Sequence, residues 1–309
     1  MIRLVLLSQD DDLDELQQAL EARASGICSI HRAADLLAAH AEVAVCWNPP
    51  SGSLGALPSL RLIHSIAAGV DHLASDPSRP PIATCRVVDP DLRRGMAEYV
   101  IWGVLHHFRR FDSVLQNQSQ RQWRVPTQLR ASEWRIGVLG LGELGGYVAQ
   151  QLAGLGFAVR GWSRSAKTID GVSCWAGNGA LEAFADGLDC LVCLLPLTDE
   201  SQGILNAGLF GRLRNGAVLI NPGRGGHLQR ADLLLALQSG QLRAALLDAF
   251  EQEPLPASDP LWSTAGVTLT PHMASSASNE VIAEQVLANV QRMQAGLSLL
   301  NQVDPDLGY

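Results

Sequence analysis

The sequence predicts an α/β protein of two lobes, each a parallel sheet with helices on its faces and with an active-site cleft expected between them. Three observations carry this reading. From residue 134 onward strand-like apolar runs alternate with helical ones, and a shorter series of the same kind precedes it. The chain of 309 residues, 47% hydrophobic and 17% charged, is also long enough to bury two cores.

Taken in order, the first core strand is read at residues 2–7, inside Met1-Ile-Arg-Leu-Val-Leu-Leu-Ser8. That segment turns acidic at Asp10-Asp-Asp12 and offers no small-residue cleavage site, so it is read as a strand and the chain is expected in the cytoplasm. Further strands of the first lobe are expected at 43–47, 62–66 and 86–88, with helical stretches between them. The second lobe is read from strands at 135–139, 158–162, 190–195, 217–220, 244–248 and 267–270. A last helical pattern, with Ile282, Val286, Val290 and Met293 on one face, follows these strands and is expected to return to the first lobe. The expected domains are 1–98 plus 279–309 and 99–278. The nearest things to linkers are Ser75-Asp-Pro-Ser-Arg-Pro-Pro81 and Glu253-Pro-Leu-Pro-Ala-Ser-Asp-Pro260, both turn-forming. No repeat or low-complexity tract interrupts this pattern.

The run Arg135-Ile-Gly-Val-Leu-Gly-Leu-Gly-Glu-Leu-Gly145 joins an apolar strand to a helix through glycines spaced to cradle a dinucleotide pyrophosphate. Gly140 supplies a tight turn, Gly142 lets the backbone approach the phosphates, and Gly145 lets the helix pack on its strand. Glu143 and Leu144 complete the loop. The helix has Leu144, Val148, Leu152 and Leu155 on one face, with Gln150 and Gln151 opposite. Both lobes are thus read as Rossmann-like or flavodoxin-like.

An NAD site of this kind expects an acidic residue about 20 positions on, at the end of the second strand, to hold the ribose 2′-hydroxyl. Here that strand ends in Ser163-Arg164-Ser165-Ala166-Lys167. A carboxylate would repel a 2′-phosphate, whereas Ser163, Arg164 and Lys167 can receive it through charge-assisted hydrogen bonds. NADPH is expected as the cofactor, with NADH used at lower efficiency.

The formal net charge of −8 argues against a nucleic-acid partner, and no apolar run reaches membrane-spanning length. Six cysteines lie scattered in apolar segments, which fits reduced core residues better than a disulfide framework. Cys190 and Cys193 fall on one probable strand, where residues three apart point to opposite faces, so no metal is expected.

Three segments fall at carboxyl ends of strands, where this architecture places chemistry. Leu219-Ile-Asn-Pro-Gly-Arg-Gly225 offers Arg224, suited to clamp a carboxylate bidentately. Leu246-Leu-Asp-Ala-Phe-Glu-Gln-Glu-Pro-Leu255 offers Asp248, Glu251 and Glu253. Thr268-Leu-Thr-Pro-His-Met-Ala274 offers His272. Together they close the logic of 2-oxo-acid reduction: a cation for an anionic substrate, a histidine as general acid/base, and a glutamate that holds the imidazole and favours its charged form.

With these residues in place the chain resembles the D-isomer-specific 2-hydroxyacid dehydrogenases, most closely their bacterial glyoxylate/hydroxypyruvate reductase A group. The likeness runs over essentially the whole chain. It includes Ala67-Ala-Gly-Val-Asp71, Gly95-Met-Ala-Glu-Tyr99, His107-Phe-Arg-Arg-Phe-Asp112, Trp162-Ser-Arg164, Leu194-Leu-Pro196, Asp248-Ala-Phe250, Glu253-Pro-Leu-Pro256, Pro271-His272 and the tail Gln302-Val-Asp304 with Gly308-Tyr309. The resemblance implies that Arg224 orients the substrate, His272 donates the proton and Glu253 is its partner, with Glu251 a bystander. It implies that Asp248 contacts the nicotinamide carboxamide, that Leu195 and Pro196 line the cofactor, and that backbone N–H groups at Ala68, Gly69 and Val70 bind the substrate carboxylate. Met96 is implied as a hinge residue beside the cofactor and Trp47 as a pocket wall. The implied activity is reduction of a small 2-oxo acid, such as glyoxylate or hydroxypyruvate, to glycolate or D-glycerate by a homodimer.

Three departures stand out: Pro222-Gly223 where relatives commonly have Leu-Ala, Asn48 where the group tends to carry histidine, and a Gly226-His-Leu-Gln-Arg230 segment without the acids often found there. Two alternatives stay open. One is a reductase of a larger 2-oxo acid, and the other a cofactor-sensing corepressor-like binding protein, since that class is built on the same pattern. Oxidation of NADPH on adding glyoxylate separates the last from an enzyme.

Overall fold

The structure is a computed structural model that describes residues 1–9, 12–74 and 76–303. Asp10, Asp11, Ser75, Asp304, Gly308 and Tyr309 of the motifs above lie outside the described residues. The chain divides into two compact units, Met1–Asp91 with Ser276–Tyr309 and Leu92–Ser275. These divisions lie a few residues before the 98/99 and 278/279 boundaries expected from sequence.

The smaller unit holds strands β1 (Ile2–Ser8), β2 (Cys28–Arg32), β3 (Val43–Trp47), β4 (Leu62–Ser65) and β5 (Ala83–Cys85) in the order β2-β1-β3-β4-β5, all parallel. Parallel strands covered on both faces read as continuous apolar runs, which is why β1, β3 and β4 are visible in the sequence. Helices α1 (Asp14–Glu21) and α2 (Asp71–Ala74) follow β1 and β4.

Residues 86–88 are not the fifth strand. The Arg86 and Val87 N–H groups bond Asn301 O at 3.1 Å and Ala67 O at 3.0 Å instead of a sheet neighbour, and the ladder is formed by Ala83–Cys85 just before them. The polar edge strand β2 has no counterpart among the expected elements.

The larger unit opens with α3 (Pro90–Phe108), whose first residues precede the division, and α4 (Phe111–Ser119). Then come β6 (Arg135–Leu139), α5 (Glu143–Gly154), β7 (Ala158–Ser163), β8 (Val172–Ala176), α6 (Leu181–Ala185), β9 (Cys190–Cys193), α7 (Ala207–Phe210), β10 (Ala217–Asn221), α8 (Arg230–Ser239), β11 (Leu242–Leu247) and β12 (Val267–Leu269). The sheet order is β12-β11-β10-β9-β6-β7-β8. Its topological switch point lies between β6 and β9, the place where open α/β sheets bind ligands. Val138, Val192, Val218 and Ile220 pack on one face under α3 and α5. Leu139, Leu191, Leu219 and Leu247 pack on the other with Phe184, Phe210 and Leu233.

In α5, Val148, Ala149 and Leu152 are buried, but Leu155 stands past the helix end and is half exposed. The final helix α9 (Asn279–Gln294) packs on α1, burying Ile282, Val286 and Val290 within the smaller unit, with Met293 half-buried. Among the described residues no helix is long and apolar enough to cross a membrane.

Candidate active site

Parallel register aligns the carboxyl ends of five strands of the larger unit: Leu139 pairs Cys193, Val192 pairs Ile220, Asn221 pairs Leu247 and Leu247 pairs Leu269. The residues that follow each strand therefore emerge along one edge. These are Gly140, Leu194, Arg224, Asp248 and His272, so the pattern that made the strands readable also gathers the chemistry-bearing side chains.

Gly140 adopts φ 94°, a conformation costly for any residue with a Cβ, and a Cβ there would lie 2.6 Å from the Leu194 carbonyl oxygen. A Cβ on Gly145 would meet the Gly140 oxygen at 1.9 Å, which sets how closely α5 enters against its strand. At Gly142, the residue before α5, a Cβ would meet nothing within 4 Å. The protein thus leaves open space beside first-turn N–H groups of α5, a cradle that fits an anionic phosphate. Arg93, Gly142, Glu143, Tyr147, Lys167 and Asp170 line the groove in front of it. Arg93 pairs with Glu143 at 3.0 Å and lies over the Tyr147 ring, while Leu144 is partly buried under the loop.

At the end of β7, Ser163 is buried and its hydroxyl donates its one proton to Ser165 O at 2.8 Å, so that proton must turn from this carbonyl to meet a phosphate oxygen, which only accepts. Arg164 and Lys167 are exposed. Glu200 is held below the usual carboxylate range, first by the Thr198 hydroxyl and a backbone N–H and then by the charge of Arg164. The basic cluster therefore has an acidic neighbour, Glu200, that stands 36 positions from Arg164 in the chain and carries no local signal.

His272 and Glu253 form a dyad, with His272 Nδ1 2.7 Å from Glu253 Oε2. The other carboxylate oxygen, Oε1, accepts the Phe250 N–H at 2.7 Å, so the loop's own backbone aims the glutamate. Burial opposes ionisation of Glu253, but the His272 and Phe250 hydrogen bonds, with the charges of His272 and Arg224, outweigh it and hold the carboxyl below its ordinary range. Glu251 is exposed.

Arg224 is half-buried; its Nη1 donates to Gly223 O at 2.9 Å and its carbonyl accepts Asn221 Nδ2 at 3.0 Å. A Cβ on Gly225 would lie 2.1 Å from the Phe250 carbonyl carbon and 2.2 Å from the Glu251 nitrogen. This backbone-on-backbone contact fixes the Arg224 loop against the segment carrying Glu253.

Asp248 does more in the loop than the sequence suggested. It is fully buried, and it accepts Thr270 Oγ1 at 2.6 Å and the Met273 and Ala274 N–H groups at 2.9 Å each. The Tyr99 hydroxyl bonds Thr270 Oγ1 at 2.6 Å, and burial together with the Asp248 charge pushes that phenol up. These bonds hold His272 at φ 51°, a left-handed conformation rare for a residue with a Cβ. The sequence assigns no role to either hydroxyl: Thr270 beside a strand end reads as solvated, and Tyr99 lies within α3, where only the fold supplies its partner. Met96 packs in the core with Ala97, Val100 and Ala274. Pro196 O accepts the Ser201 hydroxyl at 2.7 Å, and Leu195 packs on the opposite layer.

In the smaller unit the carbonyls of the turn after β4 are each engaged by a donor of the same unit. Ala67 O accepts Val87 N–H, Ala68 O lies 3.4 Å from Arg86 Nη1, and Gly69 O accepts the Ser65 hydroxyl at 3.1 Å. Among the described residues no acceptor bonds the N–H groups of Ala68, Gly69 or Val70. Trp47 ends β3 with its ring 4.7 Å from that of His72. Cys190 and Cys193 pack into opposite layers, and burial pushes both thiols up, Cys193 to about 12.

Comparison with known proteins places this geometry in a family. Residues 101–274 match the D-isomer specific 2-hydroxyacid dehydrogenase, NAD binding domain, family. Glyoxylate/hydroxypyruvate reductase A of Yersinia enterocolitica is 42% identical over 275 residues, covering 87% of this chain and 88% of that protein. A D-isomer specific 2-hydroxyacid dehydrogenase family protein from Klebsiella pneumoniae 342 superposes with a TM-score of 0.93 at 47% identity, over 98% of this chain and 97% of the other. A D-isomer specific 2-hydroxyacid dehydrogenase from Xanthobacter autotrophicus Py2, solved in complex with NADPH and MES, gives 0.91 at 40% identity over 99% of both chains. The chain belongs to the D-isomer specific 2-hydroxyacid dehydrogenase family.

Proposed function

We propose that the protein is an NADPH-preferring reductase of small 2-oxo acids, with glyoxylate and hydroxypyruvate as substrates and glycolate and D-glycerate as products. The observation that carries the reading is the 2.7 Å bond from His272 Nδ1 to Glu253, in a loop braced against the one bearing Arg224. Gly140, Gly142, Glu143, Leu144 and Gly145 would hold the pyrophosphate, Ser163, Arg164 and Lys167 the 2′-phosphate, and Leu195, Pro196 and Asp248 the nicotinamide end. When bound, the reduced cofactor supplies the hydrogen and electron pair that the carbonyl carbon receives.

The protein's own groups do the rest. Glu253 orients the ring through Nδ1, so the proton passes from Nε2 to the carbonyl oxygen, which becomes the hydroxyl. Arg224 clamps the carboxylate and offsets charge developing on that oxygen. In the same reading the N–H groups of Ala68, Gly69 and Val70 bind the carboxylate and Trp47 limits substrate size. Exposed Trp102, Leu105, Phe111, Leu115 and Trp123 support a homodimer, to be checked by analytical ultracentrifugation.

The test is a screen of small 2-oxo acids with NADPH and NADH. Steady oxidation of NADPH with glyoxylate or hydroxypyruvate is expected, and Arg224→Lys should lower kcat/KM by about a hundredfold or more. NADPH binding without turnover of any 2-oxo acid would sink the reading in favour of a cofactor-sensing protein. Faster turnover of a bulky aryl 2-oxo acid would overturn the small-substrate assignment alone.

A further inference from the structure

We infer that His227 is a positioning residue for Arg224, an inference that rests on the reading of Arg224 as the substrate clamp. The imidazole is fully buried. Its Nδ1 accepts the backbone N–H of Arg224 at 3.1 Å, and its Nε2 lies 3.3 Å from the carbonyl oxygen of Pro196. A carbonyl only accepts, so Nε2 carries the proton and Nδ1 the lone pair: the ring is neutral and in one tautomer. It bridges the chain leaving β10, which carries Arg224, to the chain leaving β9, which carries Leu195 and Pro196.

The two ends of this bridge are unequal. Pro196 O also accepts the Ser201 hydroxyl at 2.7 Å, so it keeps a donor if Nε2–H is lost. Loss of Nδ1 instead removes the acceptor of an N–H inside a loop whose flanking Gly223 and Gly225 are both buried, the more damaging case. The ring also abuts the loop, since a Cβ on Gly223 would lie 3.1 Å from Nδ1. Arg224 folds its guanidinium back over Gly223 O, so the direction of the Arg224 backbone sets where the charge stands. The Gly226-His-Leu-Gln-Arg230 segment, which lacks the acids common there, thus supplies a buried neutral imidazole.

Side-chain amides separate the two ends, because asparagine places its oxygen where Nδ1 stands and glutamine places its amide where Nε2 stands. The experiment measures kcat and KM with glyoxylate, NADPH affinity by fluorescence titration and thermal unfolding for His227→Asn, His227→Gln, His227→Phe and Arg224→Lys. His227→Asn should hold kcat/KM within about threefold of wild type, while His227→Gln and His227→Phe lose about tenfold or more with NADPH affinity kept. Equal losses in the Asn and Gln variants would overturn the inference, as would losses matched by equal falls in NADPH affinity and thermal stability. Normal activity of His227→Gln beside an inactive Arg224→Lys refutes the positioning role alone. Normal activity of Arg224→Lys refutes the clamp and takes this inference with it.

Discussion

Gly225 and Gly142 make a paired test, because a methyl group added at each meets opposite surroundings. At Gly225 the new Cβ would stand 2.1 Å from the Phe250 carbonyl carbon. A comfortable carbon contact is ~3.5 Å, so the shortfall is about 1.4 Å, and backbone cannot rotate away as a side chain can. The Arg224 loop must therefore move by about an ångström from the segment that carries Glu253. Overpacking of this kind costs about 2 kcal/mol, or ~4–8 °C in Tm for a unit of this size. A misplacement of that length costs about a hundredfold in rate. Gly225→Ala should thus show kcat/KM with glyoxylate down by about two orders of magnitude, while NADPH affinity stays near wild type. Gly142→Ala meets no protein atom within 4 Å, so it should unfold within about 3 °C of wild type. Its methyl group would occupy the proposed phosphate cradle and should weaken NADPH about tenfold or more. Gly225→Ala with activity within twofold would refute the bracing of Arg224 by this contact. Gly142→Ala with unchanged NADPH affinity would remove the pyrophosphate from this turn.

Asp248→Asn must turn an N–H₂ toward one of three donors, so it should lower stability by about 3 kcal/mol, or ~6–12 °C; a drop under about 2 °C would show that Asp248 does not brace the His272 loop. The depressed pKa of Glu253 means that its pairing stabilises fully above the ordinary carboxylate range and that this contribution fades as pH falls through the depressed value. The Tm gap between wild type and Glu253→Gln should accordingly be widest near neutral pH and close on acidification, with no such gap for exposed Glu251→Gln. In kinetics, Glu253→Gln should cost about a hundredfold and Glu251→Gln little; the reverse order would reassign the dyad. Wild-type kcat/KM should favour NADPH over NADH by at least about tenfold, and Arg164→Ala should narrow the gap; equal use of both cofactors by wild type would refute the 2′-phosphate assignment.

Interior strands were legible because a parallel strand buried on both faces leaves an unbroken apolar run, as in residues 2–7 and 135–139. Of the four edge strands, β2 and β8 carry no such signal, whereas β12 is read at 267–270. Cys28-Ser-Ile-His-Arg32 and Val172-Ser-Cys-Trp-Ala176 bury too little to carry that signal, and their placement comes from pairing with β1 and β7. The displaced fifth strand has the same origin: which three residues join a ladder depends on distant carbonyls, here Asn301 O and Ala67 O, that no local pattern encodes.

The site divides along a similar line. Arg224, Glu253 and His272 were readable because each follows a recognisable strand or precedes a proline, and each is a residue type with a chemical task. What holds them was not. The sequence points Asp248 to an outward contact, yet its three bonds turn inward to a hydroxyl and two N–H groups from a strand end 22 to 26 residues away. In the sequence His227 stands only within a segment that departs from an acidic pattern, because its partners are main-chain groups, and a backbone N–H has no residue identity to find in a sequence. A motif records side chains, whereas the geometry that holds Arg224 and His272 in place is carried by buried polar groups satisfied across strands, where leaving even one donor unpaired is costly.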